Sequence, residues 1–421
     1  MVLPTVPWPA RRNGTSLRFA PIIEHLASRY EVDVLVLADP YEPPVIEGPL
    51  LQCRDVTVLA VPHLAFPRWF LKARTVYRGL VPWGLPLGSM RPIAGHALRR
   101  WLLTYLTKNQ YTSVLWAGFG YLDIACAVRR KYRRGRFVLD MIDSPALHFA
   151  REVSLPSHLL PLRRYITWKW RRMERQVQDT CDATIYISAP DAHAARAHPP
   201  AWVHTVPNGL FVGSEPAAKV AERPAGRVIG FLGNMAYRPN ISAVVRLATR
   251  IFPQVLESLP HADLLVIGRS PPPQVSALQS SRVTVTGEVA EIWEHVARAT
   301  LFVFPMIEGA GMQNKILEVM HAGIPVVTTT IAAAGIGATN GEQLLVGDTD
   351  EQIIAHVLRL LTDRELAAGL VARARAFVRS EFSLAPILGR YEAILAPAAA
   401  VPGKARPEDE PAALVNRYSR T

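Results

Sequence analysis

The chain has 421 residues, 49% of them hydrophobic, and a formal net charge of +12. No run of about 18 uninterrupted apolar residues occurs, so a membrane-spanning helix is not expected, and three scattered cysteines (Cys53, Cys126, Cys181) have neither disulfide nor metal-ligand spacing, which fits a reducing cytoplasm. The charge is uneven: residues 1–200 hold 27 Lys and Arg against 15 Asp and Glu, whereas residues 201–421 hold 20 of each, so the first half is expected to meet an acidic partner.

The chain opens Met1-Val-Leu-Pro-Thr-Val-Pro-Trp-Pro-Ala-Arg-Arg12, without the charged-then-apolar order of a secretory signal. A very short strand leads into the loop ending at Gly14, and a helix follows over Ser16–Arg29. Strands at Val32–Leu37, Val56–Val61, Ser113–Trp116, Phe137–Asp140 and Ala183–Ile187 alternate with helices at Gly95–Lys108, Leu122–Lys131 and Leu162–Thr180. Several of these strands are short β-branched runs, the composition of strands covered on both faces of a parallel sheet. Strand and helix in alternation is the doubly wound α/β pattern.

Asp140 and Asp143 stand at the end of one strand, where doubly wound sheets gather their ligands, with His148 in the following loop. A turn or helix cap is the plain alternative for either carboxylate. No ligand cluster accompanies His148, so zinc is not expected. Basic residues interleave with aromatics at Arg129–Arg136, Arg163–Arg175 and Phe66–Arg74, the last continuing to Pro82–Pro86. They read either as solvated basic faces or as a surface for anionic lipid headgroups, with single-stranded nucleic acid the least favoured partner.

The pattern restarts after Pro207-Asn208-Gly209. Strands follow at Val228–Leu232, Asp263–Ile267, Arg282–Thr286, Leu301–Phe304, Pro325–Thr329 and Gln343–Val346, with helices that include Asn240–Ser258, Val289–Arg298 and Thr349–Thr362. Two Rossmann-like domains result, residues 1–197 and 198–380, with a hinge near 195–210. A helix near Ser383–Leu395 comes last, and residues 398–421, rich in Ala, Pro and charge, are expected to be a disordered tail.

The most informative segment runs from Phe304 to Thr328. A buried strand enters a turn containing Gly309 and Gly311, a helix follows, and a second buried strand closes the unit. A glycine turn lets backbone approach a ligand, and free N–H groups at a helix start suit phosphate. Gly311, Lys315 and Glu318 stand at i, i+4 and i+7, the spacing of one helix face. A Lys for phosphate and a carboxylate for ribose hydroxyls describe a nucleotide-diphosphate site. The plain alternative is an ordinary βαβ unit with Lys315 and Glu318 as a surface pair.

These residues resemble the donor signature of the retaining glycosyltransferases of family 4, which have the GT-B fold. Glu318-Val-Met-His-Ala-Gly-Ile-Pro-Val-Val327 matches the second half of the family's E-x7-E motif. Its first Glu is replaced by Ala310. The nearest carboxylate, Glu308, gives an E-x9-E spacing, and whether it substitutes is left open. Gly309, Gly311, Lys315 and Glu318 fit a subgroup with G-x-G-x-x-x-K-x-x-E. Gly233, Met235, Tyr237, Pro239 and Asn240 match a variant of the loop that approaches the donor, in which Arg238 is kept and the usual following Lys is not.

The resemblance implies two Rossmann-like domains facing across a cleft: an acceptor-binding domain (1–197), a donor-nucleotide domain (198–380) and a helix (381–397) crossing back to the first. It implies a nucleoside-diphosphate sugar as donor, a glycan or lipid-linked acceptor, and no metal or cofactor. The implied donor contacts are Gly14, Gly233, Asn240, Glu308, Gly309, Ala310, Gly311, Met312, Lys315 and Glu318. Lys315 and Arg238 would share the phosphate charge, and Asp143 would face the acceptor. A cytoplasmic enzyme, peripheral on the inner face of a membrane, is expected. A sugar-nucleotide 2-epimerase and a non-catalytic sugar-nucleotide-binding scaffold are the alternatives. A hydride-transfer enzyme is disfavoured, since no G-x-G-x-x-G follows a strand.

Overall fold

The computed structural model describes residues 1–3, 14–38, 46–60, 92–151, 160–210, 226–309 and 311–396. The loop before Gly14, the Phe66–Arg74 and Pro82–Pro86 segments, Ala310 and the tail 398–421 lie outside the described residues.

Two parallel sheets form. The first contains β1 (Val2–Leu3), β2 (Asp33–Ala38), β3 (Asp55–Ala60), β4 (Ser113–Ala117), β5 (Arg136–Ile142), β6 (Ala183–Tyr186) and β7 (Val203–Thr205), in the order β3-β2-β1-β4-β5-β6-β7. The second contains β8 (Val228–Leu232), β9 (Asp263–Ile267), β10 (Val283–Val285), β11 (Leu301–Phe304), β12 (Val326–Thr328) and β13 (Leu345–Val346), in the order β10-β9-β8-β11-β12-β13. Their central strands are buried along most of their length, as runs such as Phe137-Val-Leu-Asp-Met141 and Leu301-Phe-Val-Phe304 require. β7 lies beyond residue 197, where the sequence reading ends the first domain, yet it pairs with β6 in the first sheet.

Helix ends follow local chemistry. Thr349 and Gln352 form a reciprocal capping box ahead of Asp350–Thr362. Gly323, at φ +83°, closes Asn314–Ala322 in the left-handed conformation. The helix expected over Asn240–Ser258 begins at Arg238, with Pro239 in its first turn, and is interrupted by a π turn at Leu247–Ile251. The expected helix Val289–Arg298 is only Ile292–Val296. A helix not named from sequence, Arg364–Phe382, buries Leu370, Ala374 and Val378 in the second core.

The last helix, Leu384–Leu395, belongs to the first core. Its Ile387, Leu388, Tyr391, Ile394 and Leu395 pack with Leu3, Phe19, Ile23, Val34 and Val138. The chain therefore crosses between the two sheets twice, once outward through residues 206–210 and once back near 382–384.

Candidate functional site

In each sheet the winding reverses beside the first strand, between β1 and β4 and between β8 and β11. The crevice outside the carboxyl ends at such a reversal is where open α/β sheets hold ligands. In the second sheet it is walled by the segment from Gly233 to Asn240, after β8, and by the segment after β11. There Gly309 (φ +124°) and Gly311 (φ +72°) lie in the left-handed region. A methyl group at Gly311 would overlap the Asp143 carboxylate, which reaches over from the end of β5. One at Gly335, in the helix Thr330–Ile336, would collide with the carbonyl oxygen of Gly311. The turn is wedged between these two neighbours. Gly311→Ala is expected to destabilise the protein by about 1–3 kcal/mol through backbone strain alone, seen as a lower urea midpoint at unchanged m-value.

The helix Asn314–Ala322 starts three residues after Gly311, so this glycine lies in the turn ahead of the helix and not on its face. Lys315 and Glu318 are both helical and half-buried. Lys315 Nζ lies over the rings of Phe231 and Phe304, 5.3 and 5.4 Å from their centroids. It donates to Asn240 Oδ1, with Met306 Sδ at 3.9 Å. Among the described residues no carboxylate pairs with it. Burial therefore lowers its pKa to about 7. Such a group attracts an anion, which would restore its charge.

Arg238 is engaged by Glu308, a carboxylate only 4% exposed that also accepts from Ser242 Oγ at 3.0 Å. Its charge is thus already shared, and Lys315 is the less compensated of the two expected phosphate partners. Asn240 does more than cap a helix: besides receiving Lys315, its Nδ2 donates to the Asn234 carbonyl at 2.9 Å. A methyl on Gly233 would press on that amide, and one on Gly268 would run into the Gly233 carbonyl. Met312 is buried beneath the turn.

The opposite wall comes from the first sheet. Asp140 is fully buried and accepts from Arg18 Nε at 2.9 Å, from the Ile142 N–H at 2.9 Å and from the Tyr391 hydroxyl. Asp143, half-buried, is pushed up to about 7 by burial and by nearby Asp191, against the pull of Arg18. Burial likewise raises Asp191, while Ser188, the Ser144 N–H, Arg151 and the Gly311 N–H oppose the shift. Behind them Glu174 is raised to about 7 by burial, although Ala146 N–H, the Ser144 hydroxyl and the Tyr186 hydroxyl favour its charged form. Arg151 Nη1 donates to the Gly309 carbonyl at 3.4 Å.

Asp143, Gly233, Arg238, Asn240, Glu308, Gly309, Gly311, Met312 and Lys315 are therefore brought together around the winding reversal of the second sheet. Gly14 is instead the first residue of the helix Gly14–Ala27, so the helix begins two residues before the expected start at Ser16 and Gly14 leaves the loop. His148 sits on the short helix Pro145–Ala150, edge-on to Phe149 at 5.8 Å. Sequence reasoning missed Arg18, Arg151, Asp191, Gly268 and Gly335. Of these, Gly268 had a readable signal, a glycine directly after a strand that neighbours β8.

Residues 226–363 match the family described as Glycosyl transferases group 1. A curated relative, an uncharacterized 44.6 kDa protein in the cps region of Klebsiella pneumoniae, is 23% identical over 137 residues, which covers 30% of this chain and 35% of that protein. Sucrose-phosphate synthase from Thermosynechococcus elongatus superposes with a TM-score of 0.66 at 16% identity, over 93% of this chain and 97% of that one. An alpha,alpha-trehalose-phosphate synthase (UDP-forming) from Burkholderia vietnamiensis gives 0.65 at 12%, over 96% and 98%. HepE from Anabaena, in complex with UDP and glucose, gives 0.61 at 15%, over 94% and 98%. Likeness at these identities concerns architecture, and the architecture is the two-sheet GT-B fold.

Proposed function

We propose that this protein is a retaining glycosyltransferase of the family 4 kind, moving a sugar from a nucleoside-diphosphate sugar to a glycan or lipid-linked acceptor. One observation carries the reading: a left-handed glycine turn and a half-buried lysine that pairs with no carboxylate among the described residues lie together at the winding reversal of the second sheet, facing Asp143 of the first. The presence of UDP in the HepE complex supports a donor of this class.

Charge sets the mechanism. The departing diphosphate gains negative charge as the glycosidic bond breaks. Lys315, Arg238 and the N–H groups of the glycine turn would stabilise it in place, already oriented. Glu318 would hold the ribose hydroxyls and fix the donor. The acceptor attacks from the same face, and the departing phosphate takes its proton, so no nucleophile of the protein is required. Asp143 would orient the acceptor hydroxyl. Among the described residues no group of three or more His, Cys, Asp or Glu is placed to hold a metal ion, and the residues assigned to the diphosphate are cations of the chain.

The acceptor side also has a surface suited to lipid headgroups. On the helix Leu160–Thr180, Tyr165 and Trp168 stack at 6.0 Å and stand about half exposed, next to exposed Leu162, Arg164, Arg171 and Arg172. Rings and cations together on one exposed helix suit an anionic bilayer surface. No helix among the described residues is long and apolar enough to cross a membrane.

A panel of UDP, GDP, ADP and their sugar conjugates, scored by thermal unfolding, tests the donor class. A ligand at a hundred times its Kd is expected to add about 2.7 kcal/mol to native stability. A flat panel would overturn the reading.

A further inference from the structure

The two chain crossings between the sheets lie side by side. The Leu210 N–H donates to the Phe382 carbonyl at 2.8 Å, Leu210 and Ser383 form a parallel bridge, and a methyl group on Gly209 would overlap Leu384. Asn208 sits within this double hinge, 3% exposed. Its side chain reaches both ways. Oδ1 accepts from Arg18 Nη1 at 3.0 Å, and Nδ2 donates to Asn314 Oδ1 at 3.2 Å. Asn314 is the first residue of the helix that carries Lys315. Arg18, itself buried, also holds Asp140, which takes the hydroxyl of Tyr391 from the last helix. A chain of buried polar groups thus runs from the last helix through the first sheet and the hinge to the donor helix.

An amide carries its donor and its acceptor on separate atoms of one short side chain, and this one uses each end on a different side of the hinge. Buried polar networks favour one arrangement over its neighbours, because each lost bond leaves a group unsatisfied away from water. The network has little slack: Arg18 Nη2 is buried with no hydrogen-bond partner among the described residues, so Arg18 cannot give up Asn208 cheaply.

We infer that Asn208 is a positioning residue, which sets the first turn of the 314–322 helix against the first sheet and so fixes where Lys315 stands relative to Asp143. The inference rests on the reading of Lys315 as the partner of the donor diphosphate. Asn314→Ala removes only the bond across the hinge, whereas Asn208→Ala removes both.

The variants, single and double, are compared with the unaltered protein in two measurements. In hydrogen exchange without ligand, the amides of Glu318 and Val319 are expected to exchange about tenfold faster in each single variant, with no further gain in the double. Amides of β8 and β11 keep their rates. In titrations with UDP, GDP and ADP, the diphosphate that binds the unaltered protein is expected to bind each variant about tenfold more weakly. Faster exchange throughout the protein, with no excess at Glu318, would mean a merely structural role and overturns the inference. So does undiminished diphosphate affinity in the variants, which leaves the donor reading standing. If no diphosphate binds the unaltered protein, the donor reading falls, and the exchange measurement alone decides whether Asn208 positions the helix.

Discussion

Lys315→Met is expected to lower sugar transfer by about 10²- to 10³-fold, the usual effect of deleting one preorganised group that faces developing negative charge. The other cation assigned to the diphosphate, Arg238, is already bonded to Glu308 and compensates poorly. Methionine keeps the length and apolar stem, so the packing over Phe231 and Phe304 survives. A second signature separates lost charge from lost structure. In the ligand-free protein burial lowers the Lys315 pKa from 10.5 to about 7. Between those values the unfolded chain binds the extra proton, so this group's contribution to stability increases as pH rises from 7 to 10.5. A bound diphosphate restores the charge. At pH 8 its binding should therefore take up close to one proton, roughly as far as the lysine was neutral beforehand. Calorimetry in two buffers of different ionisation enthalpy measures this uptake. An uptake unchanged in Lys315→Met would remove the lysine from the phosphate site.

The second large effect concerns Asp143. Burial, with Asp191 and Asp140 adding and Arg18 opposing, raises its carboxyl from 3.8 to about 7. The native state therefore holds a proton that the unfolded chain has released between those values, and stability falls as pH climbs through that window. Three pKa units correspond to about 4 kcal/mol, and partial exposure reduces this to about 2–4 kcal/mol. Asp143→Asn, which mimics the protonated form, should match the unaltered protein near pH 4 and exceed it by that amount at pH 8. Glu174, raised in the same direction, gives both proteins much the same underlying slope, so the difference reports Asp143 together with the neighbouring Asp191 to which it is coupled. Parallel urea-stability curves from pH 4 to 8 would refute it. The same variant is expected to keep diphosphate binding while losing transfer to the acceptor, because the residue belongs to the opposite wall.

The strands were legible because a strand covered on both faces is a continuous apolar run, and Leu301-Phe-Val-Phe304 can hardly be anything else. The donor turn was legible because glycine is the residue that adopts the positive-φ backbone at 309 and 311 without strain. Other parts were silent for physical reasons. Arg18 reads as the polar face of an amphipathic helix, and nothing local shows that it is buried against Asp140, 122 residues away. Asp191 lies on a helix of five residues begun by Ser188, too short for any periodicity. Pro207-Asn208-Gly209 reads as the point where the strand–helix pattern restarts, but the bond from Asn208 to Asn314 depends on a partner 106 positions later. β7 is three residues long and its alternation cannot be seen. Glu308 was placed in the site by spacing, while its burial against Arg238 and Ser242 emerges only from tertiary packing.

The return of the last helix has a consequence for biogenesis. Tyr391 and its neighbours fill a gap among Leu3, Phe19 and Val138, residues translated well over two hundred positions earlier. During synthesis the amino-terminal lobe must leave that apolar seam uncovered until residue 395 has cleared the ribosome, long after the second lobe has the segments it needs to fold. The first lobe is thus sealed after the second, and a nascent chain stalled anywhere before the final helix presents a greasy slot that holdase chaperones are built to shield.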